Sequence, residues 1–265
     1  RRHQKIIEEA PSPTIDSELR NLIAEAALNL AKTIGYESTG TVEFLLDHDS
    51  KEFFFLEVNT RLQVEHPVTE ETTGIDLVRQ QILVAQGEKM ECTQESISSS
   101  GHSIEARLYA EDPSNNFLPA IGTLSAFEVP DIPNIRWDVG VSKGTEVGVQ
   151  FDPMLAKVTS KGSTRKEAAL RLAKALEELH LGGITTNREF LISTLRHKAF
   201  LAGDTTTDFI ERHSPNNSDF LTSDEISRAA AVAALWIQGE NRSAALVLDQ
   251  IPTGWRNSRF PDQQI

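Results

Sequence analysis

Two apolar runs separated by a short polar turn constrain this 265-residue chain most. Thr41–Leu46 and Glu52–Val58 are rich in β-branched and aromatic residues, and Asp47-His48-Asp49-Ser50-Lys51 lies between them. That pattern predicts a β-hairpin. If residues pair so that their numbers sum to about 100, Glu43 falls opposite Glu57 with side chains roughly 5 Å apart. Glu57 and Asn59 are two residues apart and share a strand face. Two carboxylates this close repel unless a cation lies between them. Oxygens from Glu43, Glu57 and Asn59 suit a hard divalent ion such as Mg2+ or Mn2+. The competing reading is a hairpin with solvated polar faces. It is weakened because both glutamates lie inside apolar strands (Val42, Phe44, Phe53, Phe55, Val58), where an unpaired charge is costly.

Arg61, Gln63 and Glu65 continue the alternation after Asn59. Arginine grips carboxylate-like anions with two parallel N–H groups, and a carboxylate beside it suits a general base. Arg61 and Glu65 fit a structural ion pair equally well.

Around the hairpin the pattern is mixed. Residues 8–13 (EEAPSP) read as an extended linker. Leu19, Leu22, Ile23, Ala26, Leu30 and Ile34 recur at helical spacing, with Asp16 as the N-cap and Gly35 as the stop. Residues 59–74 are polar and are expected to form a long ordered loop, and Ile75–Gln86 a helix. Residues 92–101 turn small and polar, marking a first boundary. Beyond it, Ile104, Ala106, Leu108 and Ala110 alternate with Glu105, Arg107 and Tyr109, which predicts a half-buried strand. Short strands follow near 121–129, 135–141 and 154–160. Thr164-x-x-Glu167 opens a helix that Gly182-Gly183 is expected to end, and Thr186-x-x-Glu189 opens another. Residues 213–223 mark a second boundary, followed by an alanine-rich helix near 224–238.

Composition narrows the function. Lys and Arg number 26 against 39 Asp and Glu, a formal charge of −13. That balance argues against general nucleic-acid binding, which needs positive surface. No apolar run approaches the roughly 18 residues of a membrane span, so no membrane association is expected. Cys92 is the only cysteine, which excludes an intrachain disulfide. The chain opens on Arg1 rather than Met and is expected to be a piece of a longer polypeptide.

Residues 57–70 (EVNTRLQVEHPVTE) resemble the signature of biotin carboxylases, in the ATP-grasp superfamily. The E-x-N-x-R part is shared with other ATP-grasp ligases, while the QVEHPVTE extension is highly specific. Residues 1–5 (RRHQK) with 8–11 (EEAP), 101–107 (GHSIEAR), 111–113 (EDP) and 151–157 (FDPMLAK) also match, so the resemblance runs from residue 1 to about 212. It implies an α+β chain: the C-terminal part of an ATP-grasp domain over 1–91, the biotin carboxylase C-terminal domain over 101–212, and the start of a linker or biotin-transfer-type region over 213–265.

The resemblance also implies an ATP-dependent ligase that makes carboxyphosphate from bicarbonate and ATP and then carboxylates protein-linked biotin. Glu43, Glu57 and Asn59 match its metal ligands. Arg61, Glu65 and Arg107 match its catalytic residues: Glu65 the base for bicarbonate, Arg61 the holder of bicarbonate, and Arg107 the stabiliser of the biotin enolate. Lys5, Arg61, Gln63, Val64 and Arg107 match positions that bind bicarbonate or biotin. His3, Lys5, Glu43 and Glu57 match positions on the ATP side. Implied cofactors are ATP, Mg2+ or Mn2+, and biotin on a carrier domain absent here. Implied partners are bicarbonate, a biotinyl carrier domain, a carboxyltransferase subunit and a second copy through the biotin carboxylase unit. The compartment is a bacterial cytoplasm or a mitochondrial matrix. The family's glycine-rich lid and ATP-gripping lysine lie upstream, so this stretch alone is expected to be inactive. Residues 251–257 (IPTGWRN), with Gln263, resemble the continuation found in α subunits of propionyl- and methylcrotonyl-type acyl-CoA carboxylases. The rivals are another ATP-grasp carboxylate or bicarbonate ligase and a non-catalytic scaffold or dimerisation homologue.

Overall fold

The computed structural model describes residues 5–215 and 222–244. It is α+β. In chain order the elements are β1 (Ile7–Ala10), α1 (Ser17–Thr33), β2 (Thr41–Leu46), β3 (Phe53–Asn59), α2 (His66–Thr73), α3 (Leu77–Ala85), β4 (His102–Tyr109), β5 (Glu111–Asp112), β6 (Leu118–Pro119), β7 (Gly122–Thr123), β8 (Ala126–Glu128), β9 (Ile135–Val139), β10 (Glu146–Val147), β11 (Met154–Gly162), α4 (Arg165–Glu178), β12 (His180–Gly182), α5 (Arg188–Arg196), α6 (Lys198–Ala202), α7 (Phe209–His213) and α8 (Ser223–Ser243). Residues 1–216 group as one compact unit, and α8 belongs to a second.

A four-stranded antiparallel sheet of order β1-β4-β11-β9 organises the first unit. Its strands alternate so that one face is apolar. Ile104, Ala106 and Leu108 of β4 and Val158 of β11 have no exposed surface. They pack with Leu172, Leu176, Phe190 and Leu195 from α4 and α5. Thr164 caps α4 by accepting from the Glu167 amide, and Glu167 reaches back to the Ser163 amide at 2.9 Å. The capping-box residues therefore orient the helix that covers the sheet.

The other face is polar, and it is also covered. β4 was expected to be half-buried, but Ser103 and Glu105 are as buried as the apolar residues between them. The reason is tertiary: α2 packs over β4, β1 and β11 on the side opposite α4. Local alternation reads chemistry, and only the second layer decides whether the polar side meets water.

Other local expectations change too. Residues 8–10 form part of a strand rather than a linker; β1 pairs with β4 in the register Ile7↔Ala106, Glu8↔Glu105, Glu9↔Ile104. The extended backbone that Pro11 imposes on its predecessor is compatible with a strand. Residues 59–74 hold α2 rather than only a loop. Pro67 suits its first turn, and Gly74 ends it at φ +74°, a left-handed conformation that glycine adopts freely. Its polar sequence hides the helical period. Gly182-Gly183 do not end α4, which stops at Glu178; Gly182 closes β12, which pairs with β8. A Cβ on Gly183, at φ +97°, would lie 2.3 Å from the Thr123 carbonyl oxygen. Finally, Asn187 rather than Thr186 holds the N-cap position of α5, without a side-chain cap hydrogen bond.

The hairpin forms as β2 and β3, with Glu43↔Glu57 and Thr41↔Asn59 in register. A bulge after Glu43 shifts the pairing to Phe44↔Phe55. The apolar strands do not bury both acids, however. Glu57 is exposed, and so are Phe54, Phe55 and Leu56. Among the described residues no second layer packs on this hairpin.

Leu176 is fully buried in the α4–sheet core. Leu176→Ala is expected to lower the unfolding free energy by about 2–5 kcal/mol, read from the denaturant midpoint.

Candidate active site

Lys5 stands at the start of β1 and reaches the hairpin. Its Nζ lies 2.7 Å from Glu43 Oε1, 2.9 Å from Gln63 Oε1 and 2.5 Å from Glu65 Oε1. Glu43 Oε1 also accepts from Gln63 Nε2 at 2.8 Å and Asn59 Nδ2 at 3.1 Å. Asn59 Nδ2 in turn donates to Glu57 Oε1 at 2.7 Å. One carboxylate oxygen thus joins the hairpin acids to the loop residues. Burial works against the Lys5 charge, but Glu43 and Glu65 outweigh it and hold the ammonium above its ordinary value. Burial alone would raise Glu43; Lys5, Gln63 and Arg61 outweigh it and hold the carboxyl below its ordinary value.

The segment 63–65 is pinned from several sides. Gln63 is buried, and its carbonyl lies 2.9 Å from His66 Nδ1. Lys157 on β11 donates to the Val64 carbonyl at 3.0 Å. Glu65 is held by Lys5 through Oε1 and by Arg107 Nη2 through Oε2 at 2.9 Å. At the far end of α2, Glu70 accepts from Arg136 of β9 at 2.6 Å. Among the described residues Arg61 makes no ion pair with Glu65; its guanidinium donates to the Leu62 carbonyl at 3.2 Å.

Arg107 comes from the polar face of β4. Its Nε lies 2.7 Å from Glu8 Oε1. Burial opposes its charge, and Glu8, Tyr109 and Glu65 outweigh that burial to hold it firmly. Asn187, fully buried, fixes the backbone beside it: Oδ1 accepts from the Tyr109 amide at 2.8 Å and Nδ2 donates to the Arg107 carbonyl at 3.0 Å. Burial pushes Glu8 up to about 7, with Arg107 pulling it down and Glu65 pushing it further up. Burial, reinforced by Glu8, pushes Glu105 up to about 8.

The geometry thus joins Lys5, Glu43, Glu57, Asn59, Gln63, Glu65 and Arg107 in one continuous network. Val64 contributes its backbone at the edge, and Arg61 stands beside the cluster without an acidic partner among the described residues. His3 lies outside the described residues, as do 251–257 and Gln263. Among the described residues no group of three or more His, Cys, Asp or Glu converges on a metal position. A cation here therefore depends on two carboxylates and the Asn59 amide. Asn59 turns its amide nitrogen toward both carboxylates; with the amide reversed to present its oxygen, the three side chains would offer oxygen donors only, which fits a hard divalent ion.

Sequence reasoning missed Glu8, Lys157 and Asn187. Glu8 and Lys157 lay inside quoted motifs, but their roles depend on partners remote in the chain, Arg107 for Glu8 and the Val64 carbonyl for Lys157. Asn187 had one local signal, its place just before a helix.

Comparison with known proteins follows this geometry. Residues 105–212 match the biotin carboxylase C-terminal domain, and residues 1–93 match the ATP-binding domain of the carbamoyl-phosphate synthase L chain. The chain is 51% identical over 213 residues to biotin carboxylase 2 of Bacillus subtilis, covering 80% of this chain and 48% of the relative. It is 44% identical over 254 residues to the mitochondrial methylcrotonoyl-CoA carboxylase subunit alpha of Arabidopsis thaliana, covering 96% of this chain and 34% of the relative. The biotin carboxylase domain of a thermophilic 2-oxoglutarate carboxylase, solved with bicarbonate, superposes with a TM-score of 0.79 at 41% identity, covering 81% of this chain and 48% of that one. The chain therefore spans between a third and a half of the length of these relatives. No described helix is long and apolar enough to cross a membrane.

The buried Glu105 carboxyl has a pH-dependent cost. Its ionisation is favoured less in the folded state than in the unfolded one, so stability falls as pH rises from its ordinary value of 4.5 toward about 8. Glu105→Gln cannot ionise, and its amide oxygen can still accept from Thr159 Oγ1. The melting temperature of this variant relative to the parent is expected to rise steadily between about pH 5 and about pH 8.

Proposed function

Because the chain belongs to the biotin carboxylases of the ATP-grasp superfamily, we propose that it supplies the bicarbonate- and metal-handling part of a biotin carboxylase within an acyl-CoA carboxylase α subunit. The observation that carries this reading is the single network in which Lys5, Glu43, Gln63, Glu65 and Arg107 lie within hydrogen-bonding reach of one another.

The residues divide the work by charge. Arg61, without an acidic partner among the described residues, and Lys5 hold the bicarbonate anion, with Gln63 and the Val64 backbone framing it. Glu65 lies between two cations and accepts the bicarbonate proton. ATP supplies the phosphoryl group that activates bicarbonate as carboxyphosphate, and ADP leaves. Glu43, Glu57 and Asn59 would hold the divalent ion, Mg2+ or Mn2+, which would supply positive charge to the phosphoryl group in transfer; Glu43, Glu57, Lys5 and His3 are the residues assigned to the nucleotide. Arg107 donates to the negative charge that develops on the biotin ureido oxygen. A fixed donor in a water-poor site lowers such a barrier by about 3–4 kcal/mol.

Related structures support these assignments. One domain was solved with bicarbonate, and another, from Hydrogenobacter thermophilus, with MgADP and bicarbonate. The longer match to the methylcrotonoyl-CoA carboxylase subunit, 96% of the chain against 80% for the Bacillus biotin carboxylase, supports the acyl-CoA carboxylase subtype. Domain limits on this reading are 1–91, 101–212 and 213–265. Biotin arrives on a carrier domain outside this chain, a carboxyltransferase subunit takes the carboxyl group, and the biotin carboxylase unit pairs with a second copy. The setting is a bacterial cytoplasm or a mitochondrial matrix. A non-catalytic scaffold has no use for so many converging charges, each costly to desolvate.

In the intact enzyme, Arg107→Ala is expected to slow biotin carboxylation about 100-fold or more, with a smaller effect on bicarbonate-dependent ATP cleavage. Near-normal biotin carboxylation would refute the assignment. Glu57→Gln is expected to raise the Mg2+ or Mn2+ concentration needed for half-maximal ATP cleavage; an unchanged metal titration removes Glu57 from the ligand set.

A further inference from the structure

Beside Arg107 lies a second carboxylate that the mechanism above does not use. Glu8 sits on β1 directly opposite Glu105, and Arg107 is the next residue of β4 on the same face. The Glu8 and Arg107 side chains are 9% and 12% exposed, and Glu8 Oε1 is 2.7 Å from Arg107 Nε. Among the described residues, neither Glu8 oxygen nor Arg107 Nε completes a well-aligned hydrogen bond. The contact is charge against charge across a short gap.

The guanidinium therefore meets two carboxylates through different nitrogens. Nη2 faces Glu65, and Nε faces Glu8. These two carboxylates differ in one respect that matters during a reaction. Glu65, as the base, loses its negative charge when it takes a proton, and its hold on Arg107 weakens at that moment. Glu8 takes no part in that transfer. It belongs to the same sheet as Arg107, with the backbone ladder between β1 and β4 fixing their separation.

We infer that Glu8 is a positioning residue, which holds Arg107 through Nε so that Nη2 passes from Glu65 to the ureido oxygen of biotin without the side chain swinging away. This inference rests on the proposed role of Arg107. Glu8 makes an arginine with several free torsions behave as a fixed donor, the property on which transition-state stabilisation depends. The upward shift of Glu8 is consistent with this coupling, since one of its causes is the charge on Glu65, which the proton transfer removes.

The test uses the intact enzyme and two rates measured on one sample: biotin carboxylation, and bicarbonate-dependent ATP cleavage without biotin. Their ratio cancels any loss of folded protein, so a folding defect does not mimic the result. Glu8→Gln is expected to lower the ratio about tenfold, through kcat rather than the KM for biotin. In an Arg107→Ala background the same change is expected to have no further effect, because nothing remains to be positioned. A parental ratio in Glu8→Gln beside a defective Arg107→Ala enzyme overturns the positioning role and leaves the reading of Arg107 standing. A full tenfold effect of Glu8→Gln on top of Arg107→Ala also overturns it, since Glu8 then acts by another route. A parental ratio in Arg107→Ala itself sinks the proposed role of Arg107, and this inference with it.

Discussion

The pairing of β1 with β4 decides where the charged groups of the site lie. Glu8 is opposite Glu105, so side chains from the start of the chain and from its middle share one face of one sheet. Lys5, just before β1, can then reach Glu43, Gln63 and Glu65, while Arg107 reaches Glu65 from the other direction. β11 extends the same face, bringing Lys157 beside Arg107 and into contact with the Val64 carbonyl. A single antiparallel ladder therefore sets the spacing of acids and bases that are remote in sequence.

Such a face is expensive to bury. Each charge loses hydration, and the loss is recovered only where an opposite charge or a hydrogen bond replaces the water. Glu43 is compensated at Oε1 by Lys5, Asn59 and Gln63. Glu105 is not: Thr159 satisfies one oxygen, and the other has no hydrogen bond among the described residues. Glu8 has an ion-pair contact without aligned hydrogen bonds. Around Arg107 the uncompensated atoms are those of Glu8, Glu105 and Arg107 Nε itself, and others lie elsewhere among the described residues, on His102, Trp137 and His213. The apolar face carries the opposite load, since α4 and α5 seal it with Leu172, Leu176, Phe190 and Leu195. That packing offsets the cost on the polar side and keeps the strands in place.

The hairpin and its acids were legible because local pattern determines them. Alternation gives the strands, the polar turn joins them, and the register follows from the turn to within the one-residue bulge after Glu43. Helix α1 was legible for the same reason, with Asp16 accepting from the Leu19 amide at its start. The α2 segment was not, because a helix of mostly polar residues has no apolar period to detect. The burial of β4 on both sides was not legible either, since it depends on α2 arriving from a segment some thirty residues earlier. Glu57 lies on a strand that no second layer covers among the described residues, so its apolar neighbours do not by themselves bury it there.

The sequence by itself determined the family, the α+β class, the pairing of Glu43 with Glu57, and most of the residues that meet in the site. These follow from short-range periods and from motif residues contiguous in the chain. Only the tertiary structure decided that Glu8 meets Arg107, that Lys157 holds the Val64 carbonyl, and that Asn187 fixes the backbone around Arg107. The partners in those contacts are separated by about eighty to a hundred residues. No local propensity encodes which distant strand a carboxylate will face; that is settled when the sheet assembles and its two faces find their covers.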